Sequence, residues 1–114
     1  MPESNDRGAL TEAVYYILLA LHVPMHGYGI MQFVREISKE RVDMGPGTLY
    51  GAINTLLEKG WIQSLYNAAD SRKKEYEITA TGREVVLGEL LRLQELIENG
   101  KKIAGGEIDE TKNN

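Results

Sequence analysis

A mainly α fold with a small β-hairpin is what three features of this sequence predict. Apolar residues recur at helical spacing up to Lys59, the period switches to alternation after Gly60, and helical spacing returns from Ala80. A length of 114 residues allows one small domain with a core of its own. A hydrophobic fraction of 42% excludes wholesale disorder. The lack of any cysteine excludes a disulfide framework, a thiolate nucleophile and a Cys-based zinc site.

Residues 1–9 are polar and read as a flexible N-terminus. Leu10, Val14, Ile17, Leu18 and Leu21 then follow the i, i+4, i+7, i+8 spacing of a helix, which Pro24 is expected to end. Tyr15, Tyr16 and Leu19 form a second apolar strip on that helix, more than one core face needs, and imply a further partner surface. A second helix is expected over 26–38, with Tyr28, Met31, Val34 and Ile37 as its face. A connector over 39–43 leads to Gly45-Pro46-Gly47, a turn whose proline suits a helix start. The third helix runs to Lys59 and stops at Gly60.

Strand-like segments over 61–66 and 74–78 flank a polar turn over 67–73, giving a hairpin with the cations Arg72, Lys73 and Lys74 at its far side. Thr79 is a fitting N-cap for a long helix from Ala80 to about Gly100, and the polar tail over 105–114 reads as disordered. Three helices, a hairpin and a fourth helix make a winged helix-turn-helix plus a long C-terminal dimerisation helix. The domain plan is therefore residues 1–9 as a flexible start, 10–79 as a DNA-binding winged helix-turn-helix, 80–104 as the dimerisation helix and 105–114 as tail.

Projected at about 100° per residue, the third helix buries Leu49, Ala52, Ile53, Leu56 and Leu57. Gly47, Gly51, Asn54 and Glu58 fall opposite, flanked by Thr48, Tyr50 and Thr55. Glycine inside a helix costs up to about 1 kcal/mol relative to alanine, so two on the exposed face mean either a close approach by another molecule or a weakly formed first turn that the packed domain tolerates. Thr48, Tyr50, Asn54 and Thr55 hydrogen-bond without negative charge; such groups contact phosphate oxygens, and Asn can bond adenine twice. Arg72, Lys73 and Lys74 lie on the element a winged helix lays against the DNA backbone.

The formal charge of −4 argues against nucleic acid only if it is spread evenly. From Lys39 to Tyr76 six cations face five anions, whereas from Arg83 to Glu98 two cations face four. The acidic excess lies outside the proposed DNA face. No apolar run is long enough to span a membrane and no leader precedes the first helix, so a cytoplasmic protein with no membrane partner is expected. His22 and His26 are separated by Pro24 and lack further ligands, so no metal is expected. No phosphate loop, dinucleotide motif or nucleophilic triad is discernible, so the chain is expected to be no enzyme, with no catalytic residues and no cofactor.

With these residues in place, the sequence resembles the PadR family of bacterial transcriptional regulators. The resemblance rests on His26-Gly27-Tyr28-Gly29, Gly47-Thr48-Leu49-Tyr50, Leu57-Glu58-Lys59-Gly60, the basic wing, Tyr76-Glu77-Ile78-Thr79 and Thr81-Gly82-Arg83, and covers roughly residues 10–100. It implies a dimeric DNA-binding repressor of a nearby operon, often one for detoxification or efflux. It adds His26 and Tyr28 to the DNA-binding set of Gly47, Thr48, Tyr50, Gly51, Asn54, Thr55, Arg72, Lys73 and Lys74. Its single terminal helix resembles the short branch of that family. A drug-binding member of that branch stacks flat ligands between paired tryptophans, and the terminal helix here has none. A small-molecule effector is a candidate partner that no residue identifies. Trp61 stands where an aliphatic residue is common and is expected to pack at the hairpin base.

Val86, Leu90, Leu93 and Ile97 are spaced 4, 3 and 4, a coiled-coil seam widened by Leu87, Leu91 and Leu96. Pairing with a twin helix, with Tyr15, Tyr16 and Leu19 contributing from the partner, yields a homodimer. Its twofold axis would present two recognition helices to an inverted-repeat double-stranded DNA operator. The alternative is a winged-helix protein-interaction module without DNA-binding function, for which the net charge and Glu58 speak.

Overall fold

The computed structural model describes residues 8–65 and 74–105. Helix α1 spans Glu12–Ala20, with Thr11 as N-cap accepting from the Val14 amide at 3.1 Å. Leu10 lies outside the helix and still packs against the core. Pro24 is not what ends α1. Leu21 is already the cap residue, and amides of Leu21, His22 and Val23 bond back to Ile17, Leu19 and Ala20.

Strand β1, Met25–His26, has only two residues and no periodicity to announce it. Helix α2 spans Gly27–Ile37 and buries Gly27, Ile30 and Val34. The expected face of Tyr28, Met31, Val34 and Ile37 is therefore corrected: Tyr28 and Ile37 are exposed, and Met31 is half-buried. Steps of three drift around a helix of 3.6 residues per turn, whereas 27, 30 and 34 stay on one side.

Ser38 is fully buried and organises the joint after α2. Its hydroxyl lies 3.3 Å from the Arg35 carbonyl and accepts from the Val42 amide at 3.0 Å. Lys39 and Glu40 then turn through positive φ of 55° and 68°. Helix α3, Pro46–Lys59, follows and buries Leu49, Ile53 and Leu56, as its projection predicts. Gly60 ends it at φ 75°, a left-handed conformation that glycine adopts without strain.

Strands β2, Ile62–Leu65, and β3, Glu75–Ile78, pair antiparallel with Ile62 opposite Ile78. β1 adds to the far edge of β3, placing Met25 opposite Tyr76 and His26 opposite Glu75. The hairpin is thus part of a three-stranded sheet in the order β1-β3-β2 among the described residues. Helix α4, Ala80–Ala104, begins at Thr79, whose hydroxyl accepts from the Gly82 amide at 3.1 Å and bonds the Gly60 carbonyl at 2.6 Å. Gly82 is obligatory there, since a Cβ would lie 2.1 Å from the Trp61 carbonyl oxygen.

Ile17, Leu18, Leu21, Ile30, Val34, Leu49, Ile53, Leu56, Ile62, Ile78 and Val86 make one core. Burying each such side chain contributes about 1.5–3 kcal/mol. This core belongs to a compact unit, Leu10–Val86; Leu87 onward falls in a second unit. No helix among the described residues is long and apolar enough to cross a membrane.

Candidate nucleic-acid interface

The sequence of α3 leaves its outward side bare. Gly45 caps the helix without a side-chain hydrogen bond, Pro46 opens it and no acidic residue stands in the first turn. The partial positive charge of the helix start is therefore not neutralised by the helix's own side chains. Gly47, Thr48, Gly51, Asn54 and Thr55 are all exposed. A Cβ at Gly47 or Gly51 would meet nothing within 4 Å, so packing within this chain does not require either glycine.

Hydrogen bonds decide which of these groups are available. The Thr55 hydroxyl donates to the Gly51 carbonyl at 3.2 Å, which spends its proton within the helix. Asn54 has no hydrogen-bond partner among the described residues. Tyr50 is 43% exposed, but its hydroxyl is folded back over α2: a Cβ at Gly27 would lie 2.1 Å from that oxygen. The Tyr76 phenol is pushed up by burial, with the nearby Tyr50 adding a smaller electrostatic contribution in the same direction. Tyr50 therefore joins α3 to the start of α2.

At that start, His26 is the N-cap, and its Nδ1 accepts from the Gly29 amide at 3.2 Å. An amide can only donate, so in the neutral ring the proton sits on Nε2. Gly29 makes room for this arrangement, because a Cβ there would lie 2.9 Å from Met25 Cγ and 3.7 Å from His26 Cε1. Tyr28 is 63% exposed, its hydroxyl accepting from Gln32 Nε2 at 3.3 Å. The two glycines of the His26–Gly29 run thus each clear space for a neighbouring side chain. Lys74, just before β3, is exposed, and on the sheet Gln63 donates to Glu77 at 2.8 Å. Arg72 and Lys73 lie outside the described residues.

The ion pairs were not legible in the sequence. Arg41 binds Glu12 with two donors, Nε at 2.9 Å being one, and this pairing holds the Glu12 carboxyl below and the Arg41 guanidinium above their ordinary values. Arg35 lies 3.6 Å from Glu40 and 3.9 Å from Asp43. Both arginines next to the α2–α3 joint thus already face carboxylates. Lys59 sits 5.1 Å from the centre of the Trp61 ring, a cation–π contact at the hairpin base. No group of residues able to hold a metal ion occurs among the described residues.

The residues expected at a dimer interface separate into three groups. Val86 is 3% exposed and belongs to the core, so it faces inward. Tyr15, Tyr16 and Leu19 are half-buried, packed against that core. Leu87, Leu90, Leu96 and Ile97 are exposed, as are Leu91 and Ile103, and Leu93 is half-buried. Within the seam, Glu89 and Arg92 form a pair of bonds at 2.9 and 2.7 Å that the apolar spacing gave no sign of.

Residues 16–87 match the model of the transcriptional regulator PadR-like family. A curated relative, an uncharacterised 37.1 kDa protein in transposon TN4556 of Streptomyces fradiae, is 35% identical over 63 residues. That stretch is 55% of this chain and 17% of the relative, so the chain spans about a sixth of that protein's length. A PadR family transcriptional regulator from Eggerthella lenta superposes with a TM-score of 0.64 at 22% identity, covering 79% of each chain. A transcriptional regulator from Clostridium thermocellum gives 0.66 at 21% identity, over 82% of this chain and 89% of its own. A single-residue mutant of MepR from S. aureus gives 0.69 at 19% identity, over 97% of this chain and 76% of its own. These likenesses establish the winged-helix fold.

Proposed function

We infer from one premise, that this chain belongs to the PadR-like family of transcriptional regulators, that it is a sequence-specific DNA-binding repressor. It acts as a homodimer on an inverted-repeat operator. The observation that carries this reading is the outward side of α3. It is bare, polar and free of anions until Glu58, and it includes two glycines that packing within the chain does not use. A major groove accepts a helix of this kind with its N-terminal residues toward the base edges.

Each group in the set takes a role by its chemistry. Asn54 reads a base edge, while Thr48 and the backbone at Gly47 and Gly51 approach the groove wall. Tyr50, His26 and Tyr28 contact the sugar-phosphate backbone beside it. Arg72, Lys73 and Lys74 bring the wing to the backbone as cations, adding affinity without sequence preference. The exposed leucines of α4 pair the two copies, and a small-molecule effector that relieves repression would act through that pairing. The family and its structural neighbours are regulators, which supports a non-enzymatic role.

Fluorescence anisotropy with the full chain tests the reading. Among labelled duplexes tiling the DNA upstream of its own gene, one carrying an inverted repeat should bind at least about 1,000-fold more tightly than random duplex, the lower end for specific binding. Equal affinity for both, or none for either, would overturn it.

A further inference from the structure

We propose that α3 reads an A·T pair through Asn54, with adenine on the contacted strand, and that this helix does not select guanine. The inference rests on the DNA-binding reading and extends it to the operator's composition. Guanine shows two acceptors in the major groove, N7 and O6, and needs two donors or a cation; adenine shows an acceptor and a donor, N7 and the N6 amine. The outward side of α3 can be checked against those patterns group by group.

The one cation of α3 is Lys59, at the C-terminal end of the helix over the Trp61 ring. Thr55 has given its proton to the Gly51 carbonyl and keeps only acceptor capacity. Glu58, also exposed, is an acceptor as a carboxylate. Tyr50 has its hydroxyl against Gly27. Thr48 offers a single hydroxyl and a methyl group, enough for a thymine methyl but not for a two-donor fork. Asn54 alone presents a planar donor–acceptor pair with no partner among the described residues, and that pair complements adenine.

Selection from a random-sequence duplex pool tests this with the full-length protein, its Asn54→Ala, Asn54→Gln and Asn54→Arg variants, and thermal melting as the folding control. The position under Asn54 is the one whose preference flattens in Asn54→Ala. There the wild type should enrich A·T, and a G·C replacement should weaken binding roughly 10-fold, within the range of a lost two-bond contact. Asn54→Arg should move that position to guanine, and Asn54→Gln should keep adenine. Wild-type enrichment of G·C there, no flattened position in a folded Asn54→Ala, or a folded Asn54→Arg that leaves the preference unchanged, would overturn the proposal while leaving DNA binding intact. If Asn54→Arg does not fold, loss of adenine preference in a folded Asn54→Gln overturns it instead. A pool from which the wild type enriches nothing overturns the DNA-binding reading and this proposal with it.

Discussion

Gly27 and Tyr50 share one space, and that makes a glycine part of the geometry of α3. A methyl group at position 27 would sit 2.1 Å from the Tyr50 hydroxyl oxygen and 2.7 Å from its Cζ, so Gly27→Ala must push the ring away. Overpacking of this kind costs about 1–3 kcal/mol, and the melting temperature should fall accordingly. In a binding titration, Gly27→Ala and Tyr50→Phe should both lose affinity with their base preferences intact, because both disturb the backbone contact proposed for Tyr50. Altered preference in Tyr50→Phe would assign base reading to Tyr50. A second residue-scale consequence concerns pH. The Arg41 hydrogen bonds lower the folded-state pKa of Glu12 below its unfolded value. Its stabilising contribution is therefore present above the ordinary glutamate range and is lost as the pH falls through the lowered folded value. Arg41→Met should melt below the wild type at neutral pH, and the two melting curves should converge in acid. A gap that stays constant into acid would mean that Arg41 acts by packing.

The joint between α2 and α3 shows how an element-scale property can hang on one hydroxyl. Ser38 is buried, and it ties the α2 end to the Val42 amide across two residues of positive φ. Ser38→Ala leaves that amide without its partner, at a cost of about 1–3 kcal/mol, readable as a lower denaturation midpoint at unchanged slope. The wing makes a different prediction. Lys74 is exposed just before β3, and each phosphate neutralised adds about −0.9 to the slope of log K against log salt. Lys74→Ala should weaken operator and random DNA alike and make the salt slope shallower by about 1.8, because the proposed homodimer loses one phosphate contact from each copy. Loss confined to the operator would show the wing reading bases. These elements also differ in how far their sequences reveal them. The 14 residues of α3 offer four turns of pattern, so its buried and bare faces could be assigned from spacing alone. In α2 the buried face includes Gly27, which carries no hydrophobic signal, and exposed Tyr28 and Ile37 imitate a face. β1 has two residues, below any period, and exists because β3 offers it an edge. The folding-back of Tyr50 and the arginine–carboxylate pairs depend on residues distant in sequence, and no local pattern encodes them.

At the scale of the whole molecule, the proposed homodimer rests on the apolar surface of α4. Projected at about 100° per residue, Leu87, Leu90, Leu91 and Ile97 fall within roughly 120° of arc, and all four are exposed. Leu96 and Ile103 lie outside that arc, and Val86 is committed to the core, so the pairing stripe starts at Leu87. With half-buried Leu93 beside them, these residues make an apolar surface, interrupted by Gln94 and Glu98, of the kind that proteins keep covered. Pairing two such stripes about a twofold axis buries both. The proposed operator then asks that the same axis set two α3 helices at the spacing of successive major grooves, about 34 Å. Leu90→Glu with Leu93→Glu should break the pairing, since each copy would bury two carboxylates without partners. Light scattering should then report a dimer for the wild type at micromolar concentration and a monomer for the variant. The core of Leu10–Val86 contains neither residue, so the variant's far-ultraviolet spectrum should keep its helical signature. DNA binding gives the complementary readout. The monomer should retain weak binding to a single half-site and lose the gain from a second half-site one helical turn away. A wild-type monomer at that concentration, or a variant that still profits from paired half-sites, would show that α4 does not join the copies.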